Sequence, residues 1–229
     1  MEVFCSSETV PMEKIKLKIC GMREADNIRS VALLQPDMMG FIFYSKSPRY
    51  VGEGFTLPGE FPSSIKRVGV FVNEKSGVIL EKAKSVGLDY AQLHGNEPVQ
   101  QCEALSMNNV KVIKVFSVDD DFDFKLTKNY EPVVDLFLFD TKGKYYGGNA
   151  QTFNWKVLDK YNQRIPFLLS GGLSPENVRE AIEATKGMNI YALDVNSGVE
   201  LSAAVKDIEK IRSLKEIIVK NQDFKTKTI

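Results

Sequence analysis

The sequence predicts an α/β protein, a single-domain (β/α)8 TIM barrel with an irregular crossover between strands 2 and 3. Strand-like and helix-like segments alternate along the chain in roughly eight β-α units. The strand-like segments are apolar on both faces, as in a parallel sheet covered by helical crossovers. Residues able to do chemistry follow many different strands. With the uniform shortness of the strands, that favours a closed barrel over an open doubly wound sheet.

The elements follow in order. "IKLKIC" (15–20) alternates as a strand and runs into Gly21, after which "EADNIRSVALL" (24–34) carries apolar residues at helical spacing. "MMGFIFY" (38–44) is the second strand. The crossover "YVGEGFTLPGEFPSS" contains Pro58 and Pro62 and little helical periodicity, so at most a turn of helix is expected there. "SIKRVGVFVN" (64–73) gives the third strand, and "EKSGVILEKAKSVG" a helix ending at Gly87. "DYAQLHG" (89–95) is a short strand, and "EPVQQCEALSM" a helix with Pro98 near its start. "VKVIKVFSV" and "VVDLFLFD" are strands with a weaker helix between them. "FNWKVLDKY", strand "PFLLS", helix "PENVREAIEAT" and strand "NIYALDV" follow. A last helix of about twenty residues is expected from Leu201. The barrel is placed at residues 15–220, between an N-terminal extension (1–14) and a polar tail (221–229).

The 229 residues are 43% hydrophobic and 26% charged, with formal net charge +0 and a pI near 6.6. That balance argues against nucleic-acid or polybasic membrane partners and leaves room for a local anion site. Three cysteines at wide spacing (Cys5, Cys20, Cys102) make neither a disulfide framework nor a Cys-x-x-Cys metal pattern. A single histidine, His94, is too few for a typical zinc site. No metal or cofactor is expected. The apolar runs are too short to span a membrane, and the N-terminus does not read as a signal peptide. The expected setting is reducing and cytoplasmic.

Two loops near the C-terminus carry an anion-binding signal. In "PFLLSGGLSPENV" and "ALDVNSGVE" a strand runs into a glycine-bearing turn. Gly171 and Gly172 permit close backbone approach, with Ser174 and Pro175 read as N-cap and N1. Ser197, Gly198, Val199 and Glu200 match a capping box opening the last helix. Free backbone N–H groups at such turns can cradle a phosphate, and barrels commonly place that site after strands seven and eight. Ordinary helix capping explains either loop singly. Both together favour phosphate.

Cys20 ends the first strand and Asp140 the sixth, so a closed barrel points both into one mouth. A thiol and a carboxylate so placed can divide proton work between carbon and oxygen. Each alone has a plain structural reading, as a buried small residue and as a turn aspartate. Arg49, in "YSKSPRYVG", suits bidentate carboxylate recognition, although a surface arginine is the commoner case. His94 and Asp194 are carried as candidate substrate contacts.

Together, "KICGM", "GFIFYSKSPRYV", "VGVFVN", "QLHGNE", "FDTKG…GGNAQTFNW", "LLSGGLSPENV" and "LDVNSGVE" resemble the signatures of the phosphoribosylanthranilate isomerase family, in family order from Ile15 to Glu200 and beyond. The resemblance implies a (β/α)8 barrel catalysing an Amadori rearrangement in tryptophan biosynthesis. It implies a small phosphoribosyl substrate, no cofactor, and a monomer or homodimer. Cys20 then falls on the general base and Asp140 on the general acid. Arg49 falls on the carboxylate-binding residue, and Gly171, Gly172, Asn196, Ser197 and Gly198 on the phosphate loops. Asn149-Ala150, Asn154, Ser170 and Asn196 depart from the usual pattern. Two other readings stay open: another sugar-phosphate isomerase of the phosphate-binding barrel type, and a non-catalytic phosphate-metabolite binding relative.

Overall fold

A computed structural model describes residues 14–141 and 152–223. Most of the N-terminal extension, the Asn149-Ala150 departure and the end of the tail lie outside the described residues. Eight parallel strands close into a barrel in sequence order. They are β1 (Lys16–Ile19), β2 (Met38–Ile42), β3 (Lys66–Phe71), β4 (Tyr90–Leu93), β5 (Lys111–Val118), β6 (Leu136–Thr141), β7 (Phe167–Leu169) and β8 (Ile190–Val195). Closure is direct: β1 pairs with β8 from Lys16↔Ala192 to Ile19↔Val195.

Because successive side chains on a strand face opposite ways, every strand feeds two cores. Inward residues Met38, Val68, Tyr90, Ile113, Leu136, Leu168 and Ala192 pack together in the barrel interior. Outward residues such as Leu17, Met39, Phe137, Leu169 and Leu193 pack under the surrounding elements. The inward series then continues toward the C-terminal ends of the strands, where it brings polar residues to the mouth.

The crossovers are uneven. Helices α1 (Ala25–Ala32), α2 (Ser76–Val86), α3 (Val99–Met107) and α4 (Val178–Ala184) follow β1, β3, β4 and β7. Gly87, at φ 70°, ends α2 as expected, since the left-handed conformation costs glycine nothing. Between β2 and β3 there is no helix. Phe55 and Phe61 cover the wall instead, with ring centroids 5.3 and 6.2 Å from Phe41. Among the described residues, the segments after β5 and β6 form only 3-10 helices, Phe124–Val133 and Trp155–Lys160. Pro132 disfavours an α-helix in the first. Aromatic packing covers the wall here too: Phe139 lies 5.3 Å from Phe124 and 5.1 Å from Tyr161. The departure at Asn154 has a clear role, since its side chain caps the second 3-10 helix by accepting from Lys156 N–H at 3.2 Å.

Two expectations near the C-terminus are corrected. Ser174 and Pro175 do not open α4, which begins at Val178. They lie in a turn shaped by Asn177, whose amide accepts from Ser174 N–H and donates to Gly172 C=O, both at 2.9 Å. The last helix does not start at Leu201. A 3-10 turn (Ser197–Val199) and a hairpin of β9 (Glu200–Ser202) and β10 (Val205–Lys206) come first. Helix α5 then runs Ile208–Asp223, into the segment expected to be tail. Its N-terminus is capped by the Asp207 side chain, which accepts from the Glu209 and Lys210 amides. Glu200 therefore does not complete a capping box, and its carboxylate is used elsewhere.

Candidate active site

The barrel mouth holds a cleft of about 620 Å³ including the open solvent at its entrance. The inward positions at the ends of β1, β4, β6 and β8 deliver Cys20, Gln92, His94, Asp140 and Asp194 to it. The turns after β7 and β8 add Ser170, Gly171 and Gly172, and Asn196, Ser197 and Gly198. Every site residue read from the sequence except Arg49 lines this one cleft.

Cys20 is buried. Glycine opposite makes room for it: a Cβ on Gly40 would lie 2.7 Å from its Sγ. Burial pushes the Cys20 thiol up, Lys18 and Lys206 draw it back, and Asp194 opposes them. Asp140 is also buried, with His94 Nε2 3.2 Å from its Oδ2. On the other side of the ring, Gln92 Nε2 lies 3.2 Å from His94 Nδ1. The loop carrying His94 is clamped from outside the barrel. Buried Glu97 accepts from the Asn73 and Gly95 amides, and Lys114 Nζ donates to it at 2.7 Å.

The two glycine turns touch. A Cβ on Gly198 would sit 2.1 Å from the Leu173 carbonyl oxygen, so only glycine allows these loops to converge. Gly171 and Gly172 adopt φ of 95° and 65°, a conformation L side chains avoid.

Arg49 lies behind the mouth. Its Nε and Nη2 bind Glu200 Oε1 and Oε2 at 2.9 and 2.7 Å. Lys206 Nζ reaches the same carboxylate at 2.6 Å, and also Asn196 Oδ1 at 2.8 Å and its carbonyl at 3.1 Å. Burial would raise Glu200, but Arg49 and Lys206 hold it below its ordinary value. Burial lowers Lys206 to about 8 despite Glu200. Lys18 Nζ donates to Asp194 Oδ1 at 2.8 Å inside the barrel.

A profile of the family described as N-(5'-phosphoribosyl)anthranilate isomerase matches residues 17–216. The chain belongs to the phosphoribosylanthranilate isomerase family. It is 44% identical over 200 residues to the N-(5'-phosphoribosyl)anthranilate isomerase of Parabacteroides distasonis, covering 86% of this chain and 90% of that one. The Thermotoga maritima enzyme is 38% identical over 201 residues, covering 86% and 95%. A crystal structure of the Thermotoga maritima enzyme superposes with a TM-score of 0.76 at 34% identity, covering 90% of this chain and 99% of that one. Another, in complex with reduced 1-(o-carboxyphenylamino)-1-deoxyribulose 5-phosphate, gives 0.74 at 33% identity with the same coverage.

Family membership sharpens what the sequence missed. Lys18 was readable in principle: it stands two residues before Cys20 on the same strand, hence on the same face. Glu200 and Lys206 were not, because their partner Arg49 is distant in the chain and only the fold joins them. Cys102, on α3, lies outside the cleft that Cys20 lines, and burial raises its thiol to about 11. Among the described residues no cluster of His, Cys, Asp and Glu could hold a metal ion. Nor is any helix there long and apolar enough to cross a membrane.

Proposed function

We propose that this chain isomerises N-(5-phosphoribosyl)anthranilate to 1-(2-carboxyphenylamino)-1-deoxyribulose 5-phosphate, with Asp140 as general acid and Cys20 as general base. The observation that carries the reading is the convergence of Cys20, Asp140 and both glycine turns on one cleft, in a chain of this family. The 5-phosphate sits against the backbone of Gly171, Gly172, Asn196, Ser197 and Gly198, where free N–H groups accept an anion without a lysine.

Asp140, in its acid form, protonates the furanose ring oxygen. The bond from that oxygen to C1 breaks, and the anilino nitrogen supplies the electron pair that makes an iminium at C1. The iminium acidifies the C2 proton, which the Cys20 thiolate removes. The C–H electrons become the C1–C2 double bond of an enolamine, and the nitrogen takes back its pair. Loss of the proton on the C2 hydroxyl and gain of one at C1 then give the ketone, so substrate and product differ by no net proton. Nitrogen in the substrate is the electron sink, and the reaction as written draws on no cofactor.

His94, bonded to Asp140, fixes the acid's orientation and faces the substrate from β4. Asp194 is a candidate contact from β8. Arg49 receives the anthranilate carboxylate. Glu200 occupies the Nε–Nη2 edge of its guanidinium, so the substrate carboxylate must use the remaining N–H groups.

The test follows the fluorescence of phosphoribosylanthranilate made in situ from anthranilate and phosphoribosyl pyrophosphate. Wild-type protein consumes it, whereas Cys20→Ala and Asp140→Asn fall by orders of magnitude. No consumption by folded wild-type protein would sink the assignment. Normal turnover by either variant removes the role given to that residue.

A further inference from the structure

A lysine fully buried inside a barrel needs a reason, because an ammonium taken from water costs several kcal/mol unless it is paired. Lys18 is such a residue: its side chain is 0% exposed, and Asp194, 5% exposed, is its ion-pair partner at 2.8 Å. The two are register neighbours on β1 and β8, so the pairing is built into the sheet. Both face inward: Lys18 lies beneath Cys20, two positions before it, and Asp194 itself lines the cleft, two positions before Asn196. An apolar residue would fill this space at lower cost.

We propose that the Lys18–Asp194 pair is the device that sets the ionisation of Cys20, Lys18 acting as cationic partner of the thiolate and Asp194 as the opposing charge that limits it. Lys18 is thus a positioning residue acting through Cys20. The geometry has the Lys18 ammonium bonded to the Asp194 carboxylate at 2.8 Å and on the face of the first strand that carries Cys20 two residues on. The charge environment agrees. Burial would lower the Lys18 ammonium, yet Asp194 and Cys20 hold it above its ordinary value. Burial pushes Asp194 up, opposed by Lys18.

The other charged groups around the thiol are accounted for. From β10, Lys206 also favours the thiolate, but its Nζ is engaged by Asn196 and Glu200. Arg49, beyond Gly21, is neutralised by Glu200. Across the cleft stand Asp140 and His94, bonded to each other. The residues of β2 in register with β1, Met38 and Met39, carry no charge. Lys18, bonded to one carboxylate, is the cation that shares a strand face with the thiol.

The pair predicts shifts of opposite sign from its two halves, which a merely structural role does not. The readout is the pH dependence of Cys20 alkylation by iodoacetamide, followed by mass spectrometry of the Cys20 peptide. It needs no substrate and stands apart from the isomerase reading, on which only the parallel kcat/KM profile depends. Lys18→Met should move the alkylation midpoint up by about one to three pH units, and Asp194→Asn should move it down. The alkaline-going limb of kcat/KM should move with it in each case. Shifts in the same direction, or none in either folded variant, overturn the proposal. One folded variant suffices, since each has its own required sign. Should neither fold, wild-type protein with 15N-labelled lysine side chains decides. The Lys18 Nζ resonance must inflect at the Cys20 midpoint and lose that inflection in Cys20→Ser, and a resonance insensitive to Cys20 refutes the pairing.

Discussion

Replacing Glu200 by glutamine tests the polar junction behind the active site most directly. The wild-type carboxylate is 6% exposed and accepts from two cations, Arg49 at 12% and Lys206 at 0%. It also accepts from the Ala204 amide at 3.1 Å. Glutamine keeps the volume and one acceptor oxygen but removes the charge, leaving two cations facing one another in a site mostly closed to water. Removing one partner of a buried pair costs about 3–5 kcal/mol. Retained volume and the slight exposure of Arg49 place Glu200→Gln at the lower end, about 3 kcal/mol. For a domain of this size that lowers Tm by about 6–12 °C. Urea unfolding at pH 7, with calorimetry as a check, measures it. Lys206→Met removes one of the two cations in the strain, so in the double variant the loss should fall short of the sum by more than about 1 kcal/mol. Glu200 is held below its ordinary value when folded. Its contribution is therefore full above the unfolded carboxylate range and lost as pH falls through the folded value. The gap between wild type and Glu200→Gln should narrow below about pH 4. A loss under about 1 kcal/mol, or strict additivity with Lys206→Met, refutes the reasoning.

Three further outcomes are expected. Gly198→Ala drives a methyl to 2.1 Å from the Leu173 carbonyl and must part the two glycine turns. It should raise KM for the phosphorylated substrate and cost about 1–3 kcal/mol of stability; an unchanged KM speaks against the phosphate cradle. Lys114→Met leaves Glu97, 0% exposed, without its cation. A loss of about 3 kcal/mol and a fall in kcat through a displaced His94 are expected from urea titration and steady-state kinetics. Lys206, at about 8 when folded against an ordinary 10.5, sheds its proton more readily in the native state. Stability relative to Lys206→Met should therefore rise as pH goes from about 8 to 10, and unfolding curves at the two ends that differ equally from the variant contradict it.

The barrel was legible because its strands are buried on both faces and so read as near-continuous apolar runs, each cut off by a turn. The placing of Cys20 and Asp140 in the mouth was legible because inward side chains at strand ends must enter it. The hairpin before the last helix was not. Ser197 to Glu200 has the local form of a capping box, but Arg49 and Lys206 claim the carboxylate, and tertiary pairing outweighs the local cap. The left-handed Ala204, at φ 68°, has no signature of its own, since alanine is a strong helix former. Asp207 was the local signal that could have set the true helix start. Between β5 and β6 the helical pattern was weak because aromatic side chains, rather than a helix face, cover the wall.

The ladder that joins the first strand to the last also dates the site in the life of the chain. Lys18 and Asp194 are 176 residues apart in sequence, so the floor beneath Cys20 exists only once both ends have met. A nascent chain lacking β8 carries the nucleophilic sulfur from its earliest residues, yet lacks the carboxylate below it and the second glycine turn beside it. The complete cleft thus arrives only at the moment of closure, and a half-made barrel has the sulfur without the site around it.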